Sequence, residues 1–145
     1  MTNNTYTLNE VVVTTMSVTR AWGRLSDHDL DFASTDSAMG HAADLALGIA
    51  LARPKRTVIC LNGDGSMLMT LGTLATVVGA GASNLVLIVV DNGSYEITGS
   101  QAVPAAGLID YAAMAEAANA GGFSDIIREF SLASTDPSPA SPIRR

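Results

Sequence analysis

Six consecutive apolar residues, Leu85-Val86-Leu87-Ile88-Val89-Val90, end abruptly at Asp91-Asn92-Gly93-Ser94. An apolar run of that length suits a strand buried on both faces, and the polar stop marks its carboxyl end. Upstream, residues 57–61 form a second short apolar strand, followed by the glycine-rich turn Asn62-Gly63-Asp64-Gly65-Ser66. Between the strands, Met67, Leu71, Leu74, Ala75 and Val78 share one helical face before Gly79 and Gly81, which predicts a helix over 67–78. Strand, glycine turn, helix and strand make a βαβ unit, whose strands lie parallel with a right-handed crossover. Both polar stops then open on the same edge of the sheet. A buried parallel sheet needs helices over both faces, so the expected class is α/β, a three-layer α/β/α fold with a mainly parallel sheet.

The rest of the chain extends this unit. Residues 11–15 are a β-branched run that predicts a first buried strand, and the polar, acidic stretch 21–36 predicts a loop. Over 38–53, Ala42, Leu45, Ala46, Ile49 and Ala50 recur at helical spacing, with Asp36 or Ser37 as N-cap and Arg53-Pro54 as the stop. After an irregular segment through Pro104 and Gly107, Asp110 can cap a third helix over 111–120 that Gly121-Gly122 ends, while 123–130 reads equally as strand or helical turn. Residues 131–145 hold four Ser and three of the five Pro and predict a disordered tail, leaving 1–130 as one domain.

Composition narrows the partners. Eight Lys plus Arg against 14 Asp plus Glu give 8 − 14 = −6, a charge that repels phosphodiester backbones and anionic lipid headgroups. Nucleic acid and membrane are therefore not expected as partners. The single cysteine, Cys60, permits neither an internal disulfide nor a thiolate zinc site, and its place in a strand makes it a core residue. The first ten residues lack the pattern of a secretion signal, and no apolar run approaches the roughly 20 residues of a membrane span. The expected compartment is the cytoplasm.

The two polar clusters carry the chemistry. Asp64 and Asn92 are 92 − 64 = 28 positions apart, and open α/β sheets bind ligands in the crevice at the carboxyl ends of their strands. The glycines leave backbone N–H groups uncovered, Ser66 offers a hydroxyl, and the start of the following helix favours negative charge, a combination suited to phosphate. Asp64 and Asn92 add hard oxygen donors. Mg²⁺ takes about six oxygens and draws several from phosphate and water, so two side chains and one carbonyl would suffice. The residues alone thus predict Mg²⁺-bridged binding of a diphosphate. A dinucleotide fingerprint is excluded by Leu68 at its third glycine position, and a P-loop by the absence of Gly-Lys-Ser/Thr.

Gly63-Asp64-Gly65-Ser66, followed a helix and a strand later by Asp91-Asn92, resembles the thiamine diphosphate motif, Gly-Asp-Gly and then Asn-Asn, with Asp91 at the first Asn. The resemblance extends to Asp36-Ser37-Ala38-Met39-Gly40 and to Tyr95-Glu96-Ile97-Thr98-Gly99-Ser100-Gln101, and covers residues 11–123. The chain is similar to the cofactor-binding domain of thiamine diphosphate enzymes, most of all to the β subunit of sulfopyruvate and phosphonopyruvate decarboxylases. That resemblance implies Asp64, Asn92 and the Ser94 carbonyl as Mg²⁺ ligands. It implies a cofactor-binding set of Ser37, Ala38, Met39, Gly63, Gly65, Ser66, Asn92, Tyr95 and Ile97, with Met39 propping the bent cofactor and Ile97 beside its thiazolium. His41 and Gln101 are the candidates for proton transfer or for meeting the substrate. Glu96 is a candidate partner for Arg20 or Arg24.

The same resemblance implies decarboxylation of a small anionic 2-oxo acid, with acetolactate synthase-like carboligation or a 2-oxo acid oxidoreductase subunit as alternatives. The family also requires a glutamate from a pyrimidine-binding domain. None of Glu10, Glu96, Glu116 and Glu129 sits where that role would fall, so the expectation is a separate α subunit, a hetero-oligomer and a site between chains. The family domain continues beyond the third helix with elements unlike the Ser/Pro-rich tail. A fold truncated at its C-terminus, and with it a non-catalytic relative, is the further alternative.

Overall fold

A computed structural model describes residues 9–33, 39–118 and 127–131. The first strand, β1 (Val11–Thr14), is buried along its whole length, as its β-branched side chains require. Next come α1 (Met16–Trp22), β2 (Asp31–Ala33), α2 (Ala42–Ala52), β3 (Val58–Gly63), α3 (Asp64–Met69), α4 (Thr73–Ala80) and β4 (Leu85–Asp91). A small hairpin of β5 (Ser94–Tyr95) and β6 (Gln101–Ala102) brackets a 3-10 turn, Glu96–Thr98, and α5 (Tyr111–Ala118) and β7 (Ile127–Ser131) complete the described chain. Five strands form one sheet in the order β2-β1-β3-β4-β7, and every neighbouring pair is parallel.

The alternation of strands decides which face is packed. Val58, Cys60 and Asn62 of β3 and Leu85, Leu87 and Val89 of β4 are buried, whereas the residues between them are only partly so. Helix α2 lays Ala42, Ala43, Ala46, Leu47 and Ala50 into the same core. Small side chains there let helix and sheet backbones approach closely. The Asn84 amide ties the end of α2 to the start of β4 by donating to the carbonyls of Ala50, Arg53 and Arg56 at 3.1, 3.1 and 2.8 Å. Among the described residues no helix is long and apolar enough to cross a membrane.

The βαβ unit and the α/β class are as expected, but several elements differ. The expected loop 21–36 begins inside α1 and contains β2. No residue of α1 is buried, so no apolar stripe announces it, and β2 exists by pairing Asp31, Phe32 and Ala33 with Val12, Val13 and Thr14. The single helix expected over 67–78 is two, broken where Thr70 leaves helical geometry at φ −133° and gives its hydroxyl to the Gly40 carbonyl. Helix α2 begins four residues later than expected, after a turn at Met39 and Gly40, with His41 as N-cap; Asp36 and Ser37 lie outside the described residues. Asp110 caps α5 through its Oδ1 and the Ala113 N–H at 2.8 Å. The ambiguous stretch 123–130 supplies β7, and Ser131, assigned to the tail, is the last residue of that strand, opposite Asp91. The remaining tail, 132–145, lies outside the described residues.

The strand order has one consequence for position. From β1 the chain steps outward to β2, then returns past β1 to β3 and continues the other way, so the order reverses between β1 and β3. A ligand crevice belongs at the carboxyl ends of the strands beside such a reversal. Of the buried polar residues described, Thr14, Thr15, Asn62, Asp64 and Ser66 lie there, and Thr73 opens α4.

Candidate cofactor site

Strand β3 ends at Gly63, extended at φ −90° and ψ 155°, and the chain turns directly into α3 at Asp64. Strand β4 runs alongside with Asn62 opposite Val89 and Gly63 opposite Val90. One more step of this register brings Asp64 against Asp91. The two carboxylates share a donor: the Gly93 N–H reaches Asp64 Oδ2 at 2.9 Å and Asp91 Oδ1 at 3.1 Å. Burial pushes the Asp64 carboxyl above its ordinary range, and the hydrogen bond and negative charge of Asp91 push the same way, against the N–H groups of Gly65 and Gly93. Asp64 is only 2% exposed.

Two apposed carboxylates, one of which its neighbour pushes toward the protonated form, are a donor set that a divalent cation relieves. Oxygen-only donors of this kind fit Mg²⁺ rather than a softer metal. Among the described residues no group of three or more His, Cys, Asp or Glu gathers in one place, so the pair depends on neutral oxygens to complete a coordination shell. Two further observations fit a polyanionic ligand beside the pair. Ser66 Oγ is buried without a hydrogen-bond partner, which is uncommon for a buried hydroxyl. Open space lies where a Cβ at Gly63 would stand.

The other expected residues are placed as follows. Gly65 lies under the Tyr95 ring, where a Cβ would come within 2.4 Å of Cε1. Gly40, at φ +90°, packs against Met69, Thr70 and the Ser66 carbonyl, which brings Met39 and His41 to the same edge. Met39, Met69 and Ile97 are half-exposed. Asn92 engages its own loop: Oδ1 accepts the Ser94 N–H at 2.9 Å, and Nδ2 stands 3.5 Å from Glu96 Oε2. Gln101 closes the 3-10 turn, its Nε2 on the Thr98 carbonyl at 3.0 Å and its Oε1 on the Thr98 hydroxyl at 3.1 Å. Glu96 is therefore beside Asn92 rather than paired with Arg20 or Arg24; among the described residues the close histidine–carboxylate contact is His41 with Asp44. Ser37 and Ala38 lie outside the described residues.

Asp91 is the residue that motif reasoning passed over, because its place in the motif reads as a substitution away from the metal. The parallel pairing of β3 with β4 places it: Gly63 stands opposite Val90, and Asp64 and Asp91 are the next residues of the two chains.

Comparison with known proteins gives the family. Residues 13–134 match the family described as thiamine pyrophosphate enzyme, C-terminal TPP binding domain. The chain is 46% identical over 91 residues to the phosphonopyruvate decarboxylase of Streptomyces hygroscopicus, and 47% over 91 residues to that of Streptomyces viridochromogenes; each match covers 63% of this chain and 22% of the relative. It is 44% identical over 79 residues to the sulfopyruvate decarboxylase subunit beta of Methanothermobacter thermautotrophicus, covering 54% of this chain and 42% of that one. The matches thus span less than half the length of these relatives.

Proposed function

Because the chain belongs to the thiamine pyrophosphate enzyme family of C-terminal TPP-binding domains, we propose that it is the cofactor-binding subunit of a cytoplasmic, Mg²⁺-dependent 2-oxo acid decarboxylase. Its substrate is a small anionic 2-oxo acid of the sulfopyruvate or phosphonopyruvate kind, as the names of its relatives suggest. The observation that carries the reading is the meeting of Asp64, Asp91 and the Gly93 N–H at one sheet edge, beside the orphaned Ser66 hydroxyl.

Bound thiamine diphosphate supplies an electron sink for the loss of CO₂ from a 2-oxo acid. The residues of this chain do the rest by position. Asp64 and Asp91, with the amide oxygen of Asn92 and the Ser94 carbonyl, would hold the cation. Ser66 donates to a diphosphate oxygen. Gly63 would keep a side chain out of its path, and Gly65 makes room for the Tyr95 ring beside it. Met39 and Ile97 present apolar surface to the cofactor rings and to the edge of a second chain. His41 faces the substrate, and Gln101 shapes the loop that carries Tyr95 and Ile97.

The partner is a pyrimidine-domain α subunit that brings the activating glutamate, which makes the active enzyme a hetero-oligomer. The beta-subunit names of three relatives support this division. Calorimetry tests the cofactor assignment: heat on adding thiamine diphosphate that depends on Mg²⁺ is expected, and Asp64→Ala should lower affinity at least about tenfold. Silence from a folded wild-type sample would sink the reading. Turnover of a 2-oxo acid by the purified chain alone would remove the second subunit from it.

A further inference from the structure

Outside the Asp64 and Asp91 pair, the side chains of His41, Asp44 and Thr73 are joined in series. His41 stands at the N-cap of α2 but makes no side-chain cap; its Nδ1 lies 2.5 Å from Asp44 Oδ2. Asp44 Oδ1 accepts the Thr73 hydroxyl at 2.6 Å. Thr73 is buried, at the first position of α4. Histidine and aspartate are three residues apart, so they share one face of α2, and the anchor comes from a different helix. The hydroxyl occupies one carboxylate oxygen, and the imidazole meets the other.

An ionised carboxylate only accepts hydrogen bonds, so the nitrogen facing it carries the hydrogen. In neutral His41 that nitrogen is Nδ1, and Nε2 is left as the proton acceptor, on a side chain that is 50% exposed. The location gives this a use. Gly40, the preceding residue, packs against the Ser66 carbonyl, so His41 follows directly on backbone that touches the cofactor site. When Nε2 takes up a proton, Asp44 balances the charge of the ring. We infer that Asp44, anchored by Thr73, is a positioning residue that fixes the tautomer of His41 and presents Nε2 for proton exchange with the bound 2-oxo acid. The substrate in this statement rests on the function proposed above; the tautomer does not.

The chain contains its own control. It has two histidines, and His28 is held the opposite way, its Nδ1 accepting the Leu30 N–H at 3.2 Å. Neutral His28 therefore carries its hydrogen on Nε2. Long-range nitrogen–proton correlation spectra of the ¹⁵N-labelled full chain at pH about 8, above the ordinary histidine range, distinguish the two forms. The expected result is His41 protonated on Nδ1 by roughly tenfold or more, with His28 protonated on Nε2. Asp44→Asn should abolish the His41 preference and leave His28 unchanged, which reports an intact fold. Where Asp44→Asn disturbs His28, Thr73→Val carries the test, and should reduce the preference without erasing it.

A wild-type His41 that is protonated on Nε2 or evenly mixed overturns the inference, as does a preference that both variants leave intact. In the chain assembled with its partner, Asp44→Asn should lower kcat roughly tenfold to a hundredfold with cofactor affinity unchanged, the usual cost of losing the group that orients a functional histidine. Loss of cofactor affinity with unchanged kcat would instead assign the network to cofactor binding and overturn the positioning role. If the tautomers are as expected and calorimetry shows no cofactor, the functional reading falls and the oriented histidine stands.

Discussion

At Gly65 the missing side chain is a packing requirement. An added Cβ would stand 2.4 Å from Tyr95 Cε1 and 2.7 Å from Cδ1, so Gly65→Ala has to displace the tyrosine ring. The expected destabilisation is about 1–3 kcal/mol, the usual range for overpacking. Thermal unfolding of Gly65→Ala, Tyr95→Ala and the double variant checks this: the double should recover most of the loss of the glycine change. Equal losses that simply add would show that the two residues do not meet. Glycine at 65 is thus read directly from a collision, whereas at Gly40 it is demanded twice, by a φ of +90° and by Met69 at 2.8 Å. The motif in the sequence names both glycines without giving either reason.

Elements divide by how they are held. Strands β3 and β4 and the Asp110 cap of α5 were legible because their causes are local: apolar runs, polar stops, and a carboxylate before a helix. Helix α1 and strand β2 were not, because each depends on a neighbour far along the chain. Asp31 shows the dependence. Its Oδ1 accepts the Trp22 indole N–H at 2.9 Å and its Oδ2 the His28 N–H at 3.1 Å, fastening the end of α1 to β2. Burial alone would raise the Asp31 carboxyl, but the hydrogen bonds from Ser26, Trp22 and the His28 amide, with the charge of His28, outweigh it and hold it below its ordinary value. A carboxyl lowered in the folded state stabilises fully above its unfolded value, about 3.9, and that contribution is lost as pH falls through the lower folded value. Trp22 is the single tryptophan, so its fluorescence should change over that acid window in the wild type. In Asp31→Asn the step should disappear; an identical acid step in the variant would assign it elsewhere.

Seen whole, the molecule sets its polar interior at one edge and leaves apolar side chains beside it. Met39, Met69 and Ile97 are half-exposed there, an arrangement that serves a second protein surface better than solvent. Oxidative footprinting should find Met39 and Met69 reactive in the isolated chain and protected when the proposed pyrimidine-domain subunit is added. Protection confined to Leu25 or Leu108, exposed elsewhere, would place the interface away from the site. This level of organisation was half legible. Asp64 and Asn92 could be assigned to one edge from the βαβ pattern alone, but the approach of Asp91 to Asp64 depends on the register of β3 against β4, which no local pattern encodes.

That register also carries a conflict of interest within the chain. Without a cation, every folded molecule holds two acids against each other at Asp64 and Asp91, a repulsion the extended chain does not feel. Relieving it by Asp91→Asn should make the cation-free protein melt higher, by about 2–4 °C for each kcal/mol recovered, while weakening the Mg²⁺ binding proposed above. The wild-type pair is then a concession of robustness to activity. Selection for thermal endurance alone would discard the very acids that equip this edge of the sheet for chemistry.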